Sequence, residues 1–184
     1  YDEPFSDSSQ IPTFLVSRLA RQSVTVSLSG DGGDEIFGGY VRHLQAERLL
    51  KILHMPAIAR FALSRMLAMA PPAKINQWFA ALRHVLPGRL NISHPGDKFG
   101  KLARLLPARS EAEMYRTLVS NWLVPAEVMP NAVEPATWLT GVGHVPESLS
   151  FVERMMFMDT MSYLPDDILA KTDRAAMAVG QIGR

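Results

Sequence analysis

The chain has no cysteine. Disulfides, thiolate metal sites and cysteine nucleophiles are therefore excluded, and a reducing, cytoplasmic location is the expectation. No run of about 18 or more apolar residues is free of charge, so no transmembrane helix is predicted. Tyr1-Asp2-Glu3-Pro4 offers neither an initiator methionine nor an apolar signal segment, and reads as a chain that starts partway through a larger protein. The net charge is only +1, which gives no global electrostatic case for nucleic acid. What is present is an ordinary globular composition, 47% hydrophobic and 20% charged over 184 residues, enough for one domain with a real core.

Acids are locally missing too. From Arg48 to Pro95 there is no Asp or Glu, while Arg48, Lys51, Arg60, Arg65, Lys74, Arg83 and Arg89 all fall there. The stretch from Pro56 to Leu67 is amphipathic and basic, a pattern that suits an anionic membrane or partner surface. A helical hairpin whose basic residues face solvent or the acidic remainder of the protein accounts for it more simply. Neither a membrane nor nucleic acid is expected as a partner.

Against this background Ser29-Gly30-Asp31-Gly32-Gly33-Asp34-Glu35 stands out, directly behind the apolar stretch Val24-Thr25-Val26-Ser27-Leu28. Glycines admit positive φ and let backbone N–H groups approach a ligand. Three carboxylates in the same turn would repel a bare phosphate, but they suit Mg²⁺, a hard cation that bridges oxygens. A Mg²⁺–nucleotide or Mg²⁺–pyrophosphate site is one reading. A simple Gly/Asp-rich turn between strand and helix is the other.

The remaining pattern is mostly helical. Asp7-Ser8-Ser9 with Pro12 supplies helix-start chemistry for a helix to about Arg21. Residues 24–28 read as one buried parallel strand. Helices are predicted from Ile36 to about Leu53 once past Gly38-Gly39, and at 56–69, 74–84, 97–106, 110–121 and 148–163, with another starting near Pro165. Pro71-Pro72, Pro87-Gly88 and Pro107 mark breaks, and 123–147 reads as a long surface connection. One strand makes no sheet, so the chain is not expected to be a self-sufficient α/β domain.

A second constellation runs from Leu164 to Met177. Asp166 and Asp167 behind Pro165 suit the first turn of a helix, where acids meet the macrodipole favourably. Lys171 and Arg174 lie three apart on one face. They either contact an anionic ligand or pair with Asp167 and Asp173.

Taken together, three blocks resemble the synthetase half of the glutamine-hydrolysing asparagine synthetases. They are Glu3-Pro4-Phe5 with Asp7-Ser8-Ser9, the run from Ser27 to Tyr40, and Leu164 to Met177. The resemblance implies an α/β fold, a partial adenine-nucleotide alpha-hydrolase-like domain with a doubly wound parallel sheet, predominantly helical in the part present. Residues 1–184 would be one partial domain: a strand–loop nucleotide element at 24–40, a helical region at 41–121, a loop at 123–147 and a helical segment at 148–180. It further implies that ATP activates the side-chain carboxylate of aspartate as an acyl-adenylate. Ammonia released from glutamine by an N-terminal amidotransferase domain then gives asparagine and AMP.

Carried over by position, Ser29, Gly30, Gly32 and Gly33 would bind ATP or pyrophosphate. Asp31 matches an acidic position tied to adenylate formation and to the incoming ammonia. Asp34 matches a Mg²⁺ ligand, and Lys171, Asp173 and Arg174 match a block near the substrate pocket. The family's Ser-Gly-Gly-x-Asp-Ser loop is absent, as are its amidotransferase cysteine and its downstream catalytic lysine. The expectation is therefore a fragment, inactive by itself. Two alternatives stay open: a paralogue amidating another carboxylate, such as a sugar acid, and a non-catalytic helical binding module.

Overall fold

The described residues of the computed structural model are 5–82, 93–131, 133–141 and 145–183. They form two compact units, Tyr1–Leu44 with Pro135–Arg184, and Gln45–Glu134.

In the first unit, helix α1 (Gln10–Ala20) begins behind Ser9, with Pro12 near its start, where a missing N–H is tolerated. The chain then enters β1 (Val26–Ser27), the glycine loop and the short helices α2 (Gly33–Phe37) and α3 (Val41–Leu44). Later it returns through α9 (Phe151–Met158), a π-helical stretch (Asp159–Leu169) and α10 (Ala170–Met177). Ser150 caps α9 in a reciprocal box: its backbone N–H donates to the Glu153 carboxylate at 2.7 Å, and its hydroxyl accepts from the Glu153 N–H. Phe151, Met155, Met158, Ala175 and Ala176 supply the apolar core, and α1 packs along α10.

Three expectations change here. Past Gly38-Gly39 the helix expected to about Leu53 is not one but two, α3 and a helix over Ala46–Leu53, because the backbone leaves the helical region at Gln45 (φ −100°, ψ 3°). Ile36 belongs to α2, which Gly38 at φ 71° closes. No new helix starts at Pro165, which lies inside the continuous run from Phe151 to Met177. Proline has no N–H for the ladder, and its ring crowds the preceding turn. The wider π turns absorb both defects, and just upstream Thr160 and Ser162 donate their hydroxyls to the Met156 and Met158 carbonyls. Asp166 and Asp167 therefore do not occupy a first helical turn.

The strand is also not alone. It narrows to two residues and pairs in parallel with β2 (Ile182–Gly183), with Val26 opposite Ile182 and Ser27 opposite Gly183. The tail turns back because Gly180, at φ 68°, closes α10 in a Schellman motif. Gln181 N–H donates to the Ala176 carbonyl and Gly180 N–H to that of Met177, each at 3.0 Å.

The second unit is helical: α4 (Ala46–Leu53), α5 (Ala57–Met69), α6 (Pro72–Leu82), α7 (Pro95–Leu105) and α8 (Glu111–Val119). Its core holds Leu49, Ile75, Leu105, Leu106, Met114 and Tyr115. Arg48, Lys51, Arg65 and Lys74 face solvent as the basic hairpin reading requires, but Arg60 is buried. Its guanidinium donates to the Leu106 and Ala108 carbonyls beyond the end of α7, where a cation meets unpaired acceptors. The predicted break at Pro87-Gly88 and the end of the helix expected over 74–84 lie outside the described residues. No helix among the described residues is long and apolar enough to cross a membrane.

Candidate active site

Behind β1 the chain must reverse into α2, and Gly32 makes that possible. It sits at φ 87°, and a Cβ there would lie 3.6 Å from the Leu164 side chain. Gly30 and Gly33 have open space where a Cβ would go. Asp31, exposed on this turn, accepts two hydroxyl hydrogen bonds on the same carboxylate oxygen, Oδ2. One comes from Ser29 and one from Thr172 of α10, each at 2.8 Å. Asp34 lies in the first turn of α2 with its carboxylate over Gly39, where a Cβ would come within 2.0 Å of Oδ1. Gly39 thus leaves the space that the Asp34 side chain occupies.

Lys171 is buried and fixed. Its ammonium donates to Asp7 Oδ2 at 2.7 Å and to Ser9 Oγ at 2.8 Å, and Ser9 Oγ donates to the same Asp7 oxygen at 2.5 Å. These bonds, first Lys171 and then Ser9, hold the Asp7 carboxyl down at about 2, below its ordinary 3.8. Ser9 makes no side-chain cap to α1, since its hydroxyl is used in this cluster. The partners of Lys171 are therefore Asp7 and Ser9, not Asp167 or Asp173. A cavity of about 510 Å³ opens beside the cluster, with Ser9, Thr13, Ser29, Asp31, Lys171 and Thr172 on its wall. Gln181 also lines it, and its buried amide nitrogen has no hydrogen-bond partner among the described residues. Arg174 is exposed and lines a separate hollow of about 300 Å³ with Ile11, Phe14 and Leu15. Asp173 is exposed. The three-residue spacing of Lys171 and Arg174 does not bring them to one pocket.

A second polar cluster joins residues that follow the loop to Asp159. Asp159, fully buried, accepts Arg42 on both oxygens, at 2.7 and 3.1 Å, and meets His43 Nε2 at 2.6 Å. Arg42 stacks 3.9 Å over the Tyr40 ring, and the Tyr40 hydroxyl donates to the buried Glu35 carboxylate. Burial, reinforced by Glu35, pushes the Tyr40 phenol well up. Burial and then Asp167 push that of Tyr163 up to about 12. Sequence reasoning missed this cluster. The available signal was Asp159 itself, a single acid directly behind the apolar run Met155-Met156-Phe157-Met158, since a buried carboxylate requires partners.

Among the described residues no group of three or more His, Cys, Asp or Glu is arranged to hold a metal. Mg²⁺ characteristically keeps most of its water and takes one or two carboxylates alongside substrate phosphates. Asp34 is exposed and offers one carboxylate of the kind such an ion takes.

Fold and site together define a mostly helical protein with a small parallel sheet, in which a glycine–carboxylate loop borders a cavity. The asparagine synthase family model matches residues 1–184, and the chain belongs to that family. It is 53% identical over 66 residues to a protein of Methanocaldococcus jannaschii named "Putative asparagine synthetase (glutamine-hydrolyzing) 2", covering 36% of this chain and 13% of that one. It is 28% identical over 177 residues to a Mycobacterium bovis protein named "Putative asparagine synthetase (glutamine-hydrolyzing)", covering 96% and 24%. With Bacillus subtilis "Asparagine synthetase (glutamine-hydrolyzing) 1" the identity is 25% over 183 residues, covering 97% and 25%. The chain thus spans a quarter or less of the length of these relatives. No solved structure matches it.

Proposed function

We propose that this chain belongs to an ATP-dependent ligase that adenylates the side-chain carboxylate of aspartate and transfers ammonia to it. The observation carrying the reading is the family match along the whole chain, whose glycine–carboxylate loop places Asp31 on a cavity wall. In the proposed chemistry a carboxylate oxygen attacks the α-phosphorus of ATP, the bond to the bridging oxygen breaks, and pyrophosphate leaves. Ammonia then adds to the acyl carbon, AMP departs with the electron pair, and the excess proton passes to a base. Adenylation makes a poor leaving group into a good one.

Within that scheme Ser29, on the cavity wall, contacts the nucleotide phosphates, and Gly30, Gly32 and Gly33 shape the loop that binds them. Asp31, on the same wall, is the acid beside the reacting carboxyl. Asp34 is the protein's ligand to Mg²⁺, which when bound screens charge on the departing pyrophosphate. Lys171, held by Asp7 and Ser9, presents a fixed cation on the same wall. Arg174 and Asp173 are left to the outer surface. A doubly wound nucleotide-binding sheet, of which β1 and β2 would be part, completes the proposal, with glutamine as the ammonia source.

The test is pyrophosphate release by the full-length protein with Mg²⁺-ATP, aspartate and either glutamine or ammonium. Other carboxylic acids, sugar acids among them, serve as competitors. Aspartate-dependent release is expected, falling on the order of 100-fold or more in Asp31→Asn, as for loss of an acid–base group. The 184-residue chain alone is expected to be inactive. Release that ignores aspartate and follows another acid would replace the substrate assignment.

A further inference from the structure

Four threonines lie in helical segments of the described residues. Thr13, Thr117 and Thr160 each donate the hydroxyl to the carbonyl four positions back, at 2.8–2.9 Å, the ordinary outlet for a helical threonine. Thr172 does not. It donates at 2.8 Å to Asp31, 141 positions away in sequence. Its methyl faces Gly183 of β2, where a Cβ would lie 3.4 Å from Cγ2. The side chain thus turns its methyl toward Gly183 and its hydroxyl to the carboxylate. Ser29 donates to the same oxygen, so Oδ2 of Asp31 is doubly held, and Oδ1 takes no bond from a described residue.

We propose that Thr172 is the positioning residue for Asp31, acting through its hydroxyl from α10 rather than by touching substrate. The proposal rests on Asp31 having the role given above. The bond from Ser29 spans two positions and moves with the loop. The bond from Thr172 alone ties the carboxylate to a separate element. An exposed carboxylate on a glycine-containing turn samples several orientations unless it is tied, and a reacting group loses rate steeply when it strays from its productive position. Lys171 is anchored from the adjacent position, so α10 enters the cavity as a fixed edge.

The experiment compares Thr172→Val, which keeps the methyl and removes the hydroxyl, with Thr172→Ser, which does the reverse, both in the full-length protein. In pyrophosphate release with Mg²⁺-ATP and aspartate, Thr172→Val is expected to lower kcat about tenfold and to leave both KM values within about twofold. Thr172→Ser is expected to recover most of that loss. In an Asp31→Asn background the Val substitution should cost little more, because residues acting through one another are not additive. An unchanged kcat in Thr172→Val, no recovery in Thr172→Ser, or the same fractional loss in the Asp31→Asn background would each overturn the proposal. If the unaltered protein releases no pyrophosphate with any acid, the function assignment fails separately. Positioning is then decided by amide hydrogen exchange at Gly30, Gly32 and Gly33. Faster exchange in Thr172→Val but not in Thr172→Ser supports it, and equal exchange in all three proteins overturns it.

Discussion

Asp7 reads in sequence as helix-start chemistry, yet the largest influence on its carboxylate comes from Lys171, 164 positions further along. A carboxyl depressed on folding stabilises the native state only while it is ionised. That contribution is complete above the ordinary value of 3.8 and disappears as pH falls through about 2. The expected outcome is a gap in melting temperature between the unaltered chain and Asp7→Asn that is constant above about pH 5 and closes between about pH 4 and pH 2. Circular dichroism melts across that range check it, and a gap that stays constant down to pH 2 would refute the assignment. The same residue shows what a linear sequence conceals. Both Asp7 and Lys171 stand out in the motif blocks, but nothing in their spacing pairs them, and the nearer acids Asp167 and Asp173 look like better partners. Asp31 and Thr172 are concealed in the same way.

The elements themselves were more legible than their ends. Apolar periodicity places α7 and α8 close to where they form, because an amphipathic face marks itself at every turn. By contrast, α1 and α5 are marked by the helix-start chemistry around Ser9 and Pro12 and by the break at Pro71-Pro72. The failures follow the backbone. Gln45 divides what reads as one helix, and Pro165 fails to divide what reads as two, since a departure from helical backbone angles and a π turn are decided by local geometry and not by hydrophobic pattern. β2 was illegible because two residues carry no period at all. Close helix approach is similarly silent in sequence until a glycine is seen against its neighbour. At the start of α7, a Cβ on Gly96 would fall 2.4 Å from the Pro72 carbonyl oxygen and 2.9 Å from its carbonyl carbon. Those are backbone atoms at the start of α6, which cannot swing aside as a side chain can. Gly96→Ala must therefore part α6 from α7 and strain the Gly96 N–H bond to the Asn76 side chain. A loss of about 1–3 kcal/mol is expected in chemical denaturation, as for overpacking. Gly100→Ala, four residues along α7 with open space at its Cβ, should be neutral or stabilising. Equal losses at both glycines would show that helix propensity rather than contact governs this helix.

Across the whole molecule, burial is incomplete in both units. In the first, α1 leaves Ile11, Val16 and Leu19 more than 60% exposed, and Leu28 and Phe37 flank the glycine loop at 86% and 84%. In the second, α5 turns Arg60 and Ser64 inward and leaves Ile58 and Met69 at 86% and 83%. Isolated exposed apolar residues are ordinary, but several on one helix are not, because clustered apolar surface gains free energy whenever another surface covers it. The β1–β2 pair adds to this, since a two-stranded sheet presents unpaired backbone along its outer sides. The isolated 184-residue chain is therefore expected to bind a hydrophobic dye in the native state and to self-associate as concentration rises through the micromolar range. Light scattering after size exclusion measures this directly. Replacing Val16 and Leu19 by lysine tests its origin. Both side chains are largely in water already, so stability should change by no more than about 0.5 kcal/mol each while association falls. If the double variant associates as strongly as the unaltered chain, the α1 surface is not the cause. If the unaltered chain is monomeric and leaves the dye dark, these exposed faces are too dispersed to act as one surface, and burial within each unit is sufficient.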